Sequence, residues 1–182
     1  MESSQIETNS MDLNTKKNEE HATHKLNDVW SLWSHLPHDT NWTLDSYKEV
    51  FSITSVEEGL SVIEALPPRL IKNCMLFIMR KGIKPTWEDP ANAKGGCFSF
   101  KVSNKNVADF WRKTSYTLIG ESITSNKEFQ KSINGITISP KKNFCIVKIW
   151  TKTGKYQNSK ELDGFPELSA EGSLFRMHQP EF

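Results

Sequence analysis

The chain lacks an excess of charge of either sign: its 182 residues include 23 lysines and arginines against 22 aspartates and glutamates. A protein that coats nucleic acid through bulk charge needs a strong basic excess, because cations have to neutralise the bound phosphates. The balance argues against that role, and any phosphate binding has to be local. A small ligand of defined shape fits this composition better than a long duplex.

Cysteine is also scarce. Cys74, Cys97 and Cys145 are an odd number, and they form neither a CxxC pair nor a Cys/His spacing. This pattern argues against a disulfide framework and against a zinc site. We therefore expect no metal, no cofactor and a reducing compartment.

Long apolar runs are missing as well. No run approaches the roughly 18 to 20 residues of a membrane span. The segment Met1–Gln5 has neither the basic nor the apolar region of a signal peptide. These absences predict a cytoplasmic protein without a membrane partner.

The chain has the size of one domain and a tail, and it is long enough to bury one core. Residues 1–23 are polar and charged, so they bury too little apolar surface to offset the entropy of ordering, and we predict a disordered N-terminal arm. Residues 24–182 are expected to form a single α+β domain. From about residue 152 the apolar pattern weakens, which predicts a shortened or irregular C-terminal part, one more hairpin or a draped tail.

Alternating and β-branched segments predict six strands. They cover residues 29–33, 47–53, 75–79, 98–102, 136–139 and 144–151.

Three helices are predicted between these strands. The first begins after Ser55, which forms a capping box with Glu58, and stops at Pro67-Pro68. The second covers residues 107–119, and the third is capped by Ser125 and ends at Gly135. The mixture predicts an antiparallel sheet that helices cover on one face, while the other face is free to bind a ligand.

The stretch Ile83–Pro90, followed by Gly95 and Gly96, sets an aromatic ring beside a carboxylate. Trp87 can stack on a flat ring, while Glu88 accepts hydrogen bonds from the edge of that ring. A carboxylate has only acceptor sites, and guanine offers two adjacent donors on its Watson–Crick edge, whereas adenine does not. The pair therefore predicts a pocket for a guanine-like base.

Several motifs between about residues 24 and 151 resemble the eukaryotic translation initiation factor 4E family, which binds the 7-methylguanosine cap of mRNA. They are Trp30–Trp33, Asn41-Trp42, Pro85–Asp89, Phe110-Trp111, Leu118–Ser122 and Ile149–Thr151. The resemblance implies a curved antiparallel sheet with about three helices on its convex face and a cap-binding slot on its concave side. It also implies recruitment of mRNA for translation initiation.

The resemblance assigns roles to single residues. Trp42 and Trp87 correspond to the pair that stacks on the base, Glu88 to the acid that reads guanine, and Trp150 to the tryptophan near the N7-methyl group. Lys141, with Lys142 beside it, falls where the family holds the cap's triphosphate. Trp150 has the alternative of being a sheet residue, and the two lysines that of being a solvated turn.

The sequence departs from the family around the phosphates. Asn143 and Ile146 stand where the family usually has lysine, while Cys97 and Met75 replace a usual arginine and aspartate. We therefore predict a weakened or rearranged phosphate grip, for which Arg176 is a possible substitute. The remaining tryptophans, Trp30, Trp33 and Trp111, are expected in the core.

The family also binds scaffold and repressor proteins through a surface opposite the slot. That surface corresponds here to His24, Val56, Leu60, Arg112 and Tyr116. Leu60 stands where the family has a tryptophan, and Arg112 and Lys113 replace an apolar residue and an acid. We predict weak or retargeted scaffold binding, because an anchor indole is missing and a basic peptide meets added positive charge. Alternatively, Leu60 packs on the sheet.

Other function classes stay open from the residues alone. The closest is a cap-binding translational repressor or decoy that does not engage the usual scaffold. A hydrolase using Cys97 or Glu88 finds little support, because none of the five histidines belongs to a nucleophile motif, so we expect no enzyme. A module that binds sugars or proteins through tryptophan rings, without guanine, is the third class.

Overall fold

A computed structural model describes residues 23–164 and 173–178. In these two ranges, seven strands form one antiparallel sheet in the order β2-β1-β3-β5-β6-β4-β7. The strands are β1 Lys25–His35, β2 Tyr47–Ser55, β3 Met75–Arg80, β4 Gly96–Ser103, β5 Ile133–Pro140, β6 Phe144–Thr151 and β7 Leu174–Met177. The six predicted strands are all present. The predicted N-terminal arm lies outside the described residues, apart from Thr23.

Within the described residues, four α-helices cover the convex face of the curved sheet, in agreement with the predicted α+β class. They are α1 Val56–Ala65, α2 Pro68–Asn73, α3 Val107–Ile119 and α4 Lys127–Ser132. The main core lies between these helices and the sheet, and Trp30 and Trp111 are fully buried in it. Trp33 is buried too, on the opposite face of the sheet.

Helix α1 begins as the sequence predicts. The Ser55 hydroxyl accepts from the Glu58 backbone N–H at 3.2 Å, and the Glu58 carboxylate accepts from the Ser55 N–H at 3.2 Å. The helix ends at Ala65, ahead of Pro67. Helix α2 was not predicted from the sequence, because Pro68 was interpreted only as the end of α1. Pro68 is also the first residue of α2, a position where its missing N–H costs nothing.

The third predicted helix differs in both bounds. Its N-cap is Asn126, whose side chain accepts from the N–H groups of Glu128 and Phe129 at 3.1 Å. Ser125 instead donates its hydroxyl to Asp163 at 2.5 Å. The helix ends at Ser132, and Gly135 lies inside β5, where a Cβ atom would come within 2.3 Å of the Ile78 carbonyl oxygen.

Among its described residues, the C-terminal part contributes one strand, β7. β7 pairs with β4, with Arg176 opposite Cys97 and Phe175 opposite Phe98. Phe175 packs against the main core. No helix within residues 23–164 and 173–178 has the length and apolar character needed to cross a membrane.

Candidate functional site

The concave face of the sheet carries an apolar cluster of its own. Trp33, Phe77, Met79 and Trp150 form it, because side chains two residues apart along a strand share one face and cross-strand partners do as well. Tyr47, Met75 and Ile83 pack against this cluster. The loop after β1 and the loop after β3 carry the residues that the sequence assigns to a base.

Trp42 lies on the loop between β1 and β2 and is 61% exposed. One face of its indole stacks on the buried ring of His35, with the ring centroids 4.4 Å apart and the planes within 3° of parallel. The His35 Nε2 atom lies 2.8 Å from the Asn41 carbonyl oxygen, and since a carbonyl only accepts, Nε2 carries the proton. His35 thus holds the Trp42 ring flat while leaving it available to stack on a ligand.

Trp87 lies on the loop between β3 and β4 and is 46% exposed. Next to it, Glu88 is exposed and has no hydrogen bond or ion pair with the residues described. The pKa of Tyr47 is raised, mainly by burial and in addition by the negative charge of Glu88. Glu88 therefore acts electrostatically on a residue of the concave face. The Tyr47 ring lies 4.9 Å from the His35 ring, so Glu88 and Trp42 belong to the same side of the sheet.

Asp89 and Asn92 give this loop a fixed shape. The Asp89 carboxylate accepts from the N–H groups of Lys84 at 2.9 Å and Ala91 at 2.8 Å. The buried Asn92 side chain donates to the carbonyl oxygens of Lys84 at 3.0 Å and Thr86 at 2.8 Å. The loop therefore presents Trp87 and Glu88 from a frame of side-chain hydrogen bonds. Sequence reasoning assigned no role to Asn92.

Trp150 is a member of the concave cluster and only 8% exposed. Its Nε1 donates to the Thr137 hydroxyl at 2.7 Å, and the His178 ring covers part of it at a centroid distance of 4.7 Å. His178 Nδ1 donates to the Asn92 carbonyl at 2.8 Å. Burial lowers the pKa of His178. No local sequence pattern indicates this contact, since Trp150 lies on β6 and His178 directly follows β7.

The predicted phosphate lysines lie in the turn between β5 and β6. Both are exposed, and the Lys141 N–H closes the turn on the Phe144 carbonyl at 2.8 Å. Lys141 borders a cleft of about 340 Å³ together with Trp42 and His35, whereas Lys142 does not. The structure thus brings Lys141, but not Lys142, to the cleft beside Trp42.

Two further cations share the concave face. Lys148 is two residues before Trp150 on β6 and therefore on the same side, opposite Thr137 and Ser99. Arg176 lies opposite Cys97, which is itself opposite Trp150. The sequence reasoning missed Lys148, although counting by twos from Trp150 would have found it.

The predicted partner surface lies on the helical face. His24 is exposed and hydrogen-bonds Glu57 through its N–H at 3.0 Å and its Nδ1 at 2.6 Å. Val56 and Leu60 are exposed by 38% and 46%, while Ile63 is buried. The alternative that Leu60 packs on the sheet is therefore wrong, because its side chain faces outward.

Arg112 and Tyr116 converge on Glu64 of α1. The Arg112 guanidinium lies 3.3 Å from Glu64 and 3.3 Å from Asp109, and the Tyr116 hydroxyl donates to Glu64. Burial, and then Glu64, raises the pKa of Tyr116 to about 12. The positive charge that Arg112 brings to this face is thus matched by carboxylates of the same surface.

The model of the family described as Eukaryotic initiation factor 4E matches residues 25–165. The chain belongs to this family.

Two fungal members of the eukaryotic initiation factor 4E family illustrate the relationship. The chain is 34% identical over 146 residues to eukaryotic translation initiation factor 4E of Candida albicans, which covers 75% of this chain and 68% of that protein. It is 33% identical over 172 residues to the protein of the same name from Saccharomyces cerevisiae, which covers 82% of this chain and 79% of the relative.

A solved member of the family has the same fold. The schistosome eIF4E, crystallised in a complex with m7GpppG and 4E-BP, is similar with a TM-score of 0.73 and 24% identity over 85% of this chain and 88% of that chain.

Proposed function

We propose that this protein binds the 7-methylguanosine 5′ cap of mRNA and recruits the mRNA for translation initiation. The observation that carries the proposal is the pair of exposed indoles, Trp42 and Trp87, presented by two loops on one side of the sheet with the free carboxylate of Glu88 next to Trp87. Membership of the eukaryotic initiation factor 4E family supports the same role.

The chemistry of the pair explains a preference for methylated guanine. A base between two indoles gains roughly 1 to 3 kcal/mol for each stacking contact. Methylation at N7 makes guanine cationic, so the negative faces of Trp42 and Trp87 attract it further by a cation–π interaction of about 2 kcal/mol once water is removed. Glu88 accepts from N1–H and from the exocyclic amine of guanine, and an adenine cap leaves this carboxylate unpaired.

The remaining predicted contacts belong to this proposal. Trp150, held by Thr137, offers its indole from the floor of the concave face. Lys141 is the cation that borders the cleft beside Trp42, and it would contact the triphosphate. Lys142 follows it in the same turn. Because these side chains are few, the phosphates would contribute less affinity than the base.

The test is a titration of tryptophan fluorescence with 7-methyl-GTP and with GTP. Wild type should respond selectively to the methylated ligand. Glu88→Ala should weaken 7-methyl-GTP binding about fivefold to 150-fold, as expected for about 1 to 3 kcal/mol from a lost charged partner. Glu128→Ala, which removes an exposed carboxylate from α4, is the matched control and should leave the affinity unchanged. An equal response of wild type to both nucleotides would overturn the proposal.

We further propose that the protein acts in the cytoplasm as a binding factor without catalysis, and that residues 24–182 form one cap-binding domain. The names of the matched relatives as translation initiation factors support this assignment. They do not favour the repressor or decoy alternative. Incubating 7-methyl-GTP with the protein and recovering it unchanged by chromatography would test the absence of turnover.

A further inference from the structure

A second, larger cleft lies next to the one beside Trp42. It has a volume of about 860 Å³ and lies where three segments meet: the loop after β1, helix α2 and the turn between β5 and β6. Its apolar wall consists of proline and leucine side chains, among them Leu70, which is 38% exposed. None of the residues assigned to the base lines this cleft.

The ionisable side chains that line this cleft include several basic groups and no acidic one. Arg69 and Lys72 border it from α2, Lys141 and Lys142 from the turn, and His38 from the loop, and no carboxylate is among its lining residues. Most ion pairs in the described part of the chain include a lysine or an arginine. The four lysine and arginine side chains of this cleft take part in none of them. The cleft therefore concentrates positive potential on a protein whose total charge is nearly balanced.

The two clefts adjoin each other. Five residues border both of them, namely Pro37, His38, Asn73, Pro140 and Lys141. Asp39, whose carboxylate accepts from the Asn41 N–H at 2.9 Å, is the one acidic residue that lines the smaller cleft, and none lines the larger one. A ligand whose base stacks on Trp42 can thus extend past Lys141 into the space between Lys142 and helix α2, where it meets no carboxylate.

We propose that this cleft binds the phosphodiester backbone of the first nucleotides that follow the cap. The proposal rests on the proposed function, because it is the base beside Trp42 that would direct the chain into the cleft. An RNA strand fits better than an acidic peptide because its phosphates would extend from the cap site itself. Contacts of lysine and arginine to phosphates carry no sequence information, so the cleft would hold any mRNA.

The test compares 7-methyl-GTP with a capped, unstructured RNA of eight nucleotides at several salt concentrations. Each phosphate neutralised on a single strand adds about 0.7 to the slope of log affinity against log salt. The capped RNA should therefore bind more tightly and with a steeper slope than 7-methyl-GTP. The double variant Arg69→Ala/Lys72→Ala should make the RNA slope less steep by about 1.4 and lower the RNA affinity roughly 25-fold at 0.1 M salt, with 7-methyl-GTP binding unchanged.

Two controls accompany this experiment. Arg69→Lys/Lys72→Arg keeps both charges and should preserve the RNA slope. Lys127→Ala/Lys160→Ala removes two exposed lysines from α4 and from the segment after β6, away from the cleft, and should also preserve it. Unchanged 7-methyl-GTP binding by all variants shows that each one is folded.

The outcomes separate the two proposals. If the capped RNA and 7-methyl-GTP have the same affinity and slope on wild type, the cleft proposal is overturned while cap binding stands. Displacement of the capped RNA by polyglutamate as efficiently as by uncapped RNA of equal charge would also overturn it, because the cleft would then be a general acceptor of acidic chains. If 7-methyl-GTP does not bind but the RNA does, through Arg69 and Lys72, cap binding fails and the link from cap to cleft with it.

Discussion

At the scale of single residues, His35 decides how Trp42 is presented. It is nearly inaccessible, it stacks on the indole, and its donation to Asn41 holds the loop that carries Trp42. An exposed aromatic ring without such support samples several rotamers, and ordering it on binding costs free energy.

His35→Ala should therefore weaken 7-methyl-GTP binding about threefold to tenfold, the range expected for the loss of an aromatic pair. His35→Phe keeps a flat ring behind Trp42 and should retain most of the affinity, although it loses the bond to Asn41. Fluorescence titration of the three proteins measures the effect. An alanine variant that binds as tightly as wild type would show that Trp42 needs no support.

His178 is the residue whose protonation should affect the structure. Its pKa lies below the ordinary value of 6.5 because the ring is buried, and its Nε2 has no partner among the described residues. The unfolded chain therefore binds a proton more readily than the folded one. The packing of His178 is fully stabilising above pH 6.5 and is weakened as the pH falls below that value.

Because His178 directly follows β7, we predict that the pairing of β7 with β4 becomes less stable as the pH falls. Hydrogen exchange of the amides in β7, corrected for the intrinsic effect of pH, should accelerate between pH 7.5 and pH 5.5. His178→Gln cannot be protonated, so the acceleration should be absent in that variant. The same acceleration in both proteins would assign the effect to another group.

At the scale of elements, the capping box of α1 is a local contribution to stability. Ser55→Ala removes the acceptor for the Glu58 N–H and should lower the free energy of unfolding by about 1 kcal/mol. Ser61→Ala is the matched control, since Ser61 is exposed within α1 and alanine there favours the helix. Urea unfolding of both variants measures the difference, and equal losses would contradict the capping role.

The helices also show which structural features can be predicted from the sequence. The start of α1 was predictable because a capping box lies within four residues. Helix α2 was not predictable, since six residues are too few to show a helical repeat of apolar positions. In addition, a proline such as Pro68 can either end a helix or begin one. The predicted cap Ser125 is wrong. Ser125 is a residue type that often caps helices, but its hydroxyl donates to the distant Asp163, and Asn126 caps the helix instead.

The site divides in the same way. The exposure of Trp42, Trp87 and Glu88 was predictable because an indole in a polar segment, or beside a carboxylate, has few reasons to be in a core. The contacts of His35 with Trp42 and of His178 with Trp150 come from the fold, so no local pattern reports them. The outward direction of Leu60 was undecided, because its spacing fits either side of the apolar stripe of α1.

At the scale of the whole molecule, the sheet separates two surfaces. The concave side presents the indoles and Glu88, while the convex side carries the helices with Leu60, Arg112 and Tyr116 on their outer surface. The main core lies between the sheet and the helices. Changes on one surface should therefore not alter binding on the other, as is usual for distant sites that share no partner.

Leu60→Trp tests this separation together with the partner surface. The family resemblance places a tryptophan here, and an exposed leucine offers less area than an indole anchor, so wild type should bind a 4E-BP peptide weakly. The substitution should strengthen that binding about tenfold or more, in the range of an interface hot spot, and leave 7-methyl-GTP affinity unchanged. Leu60→Ala is the control and should weaken the peptide further. Calorimetry with both ligands measures these effects. A Leu60→Trp protein with altered cap affinity would show that the two faces are coupled, and one with unaltered peptide binding would show that the partner surface lies elsewhere.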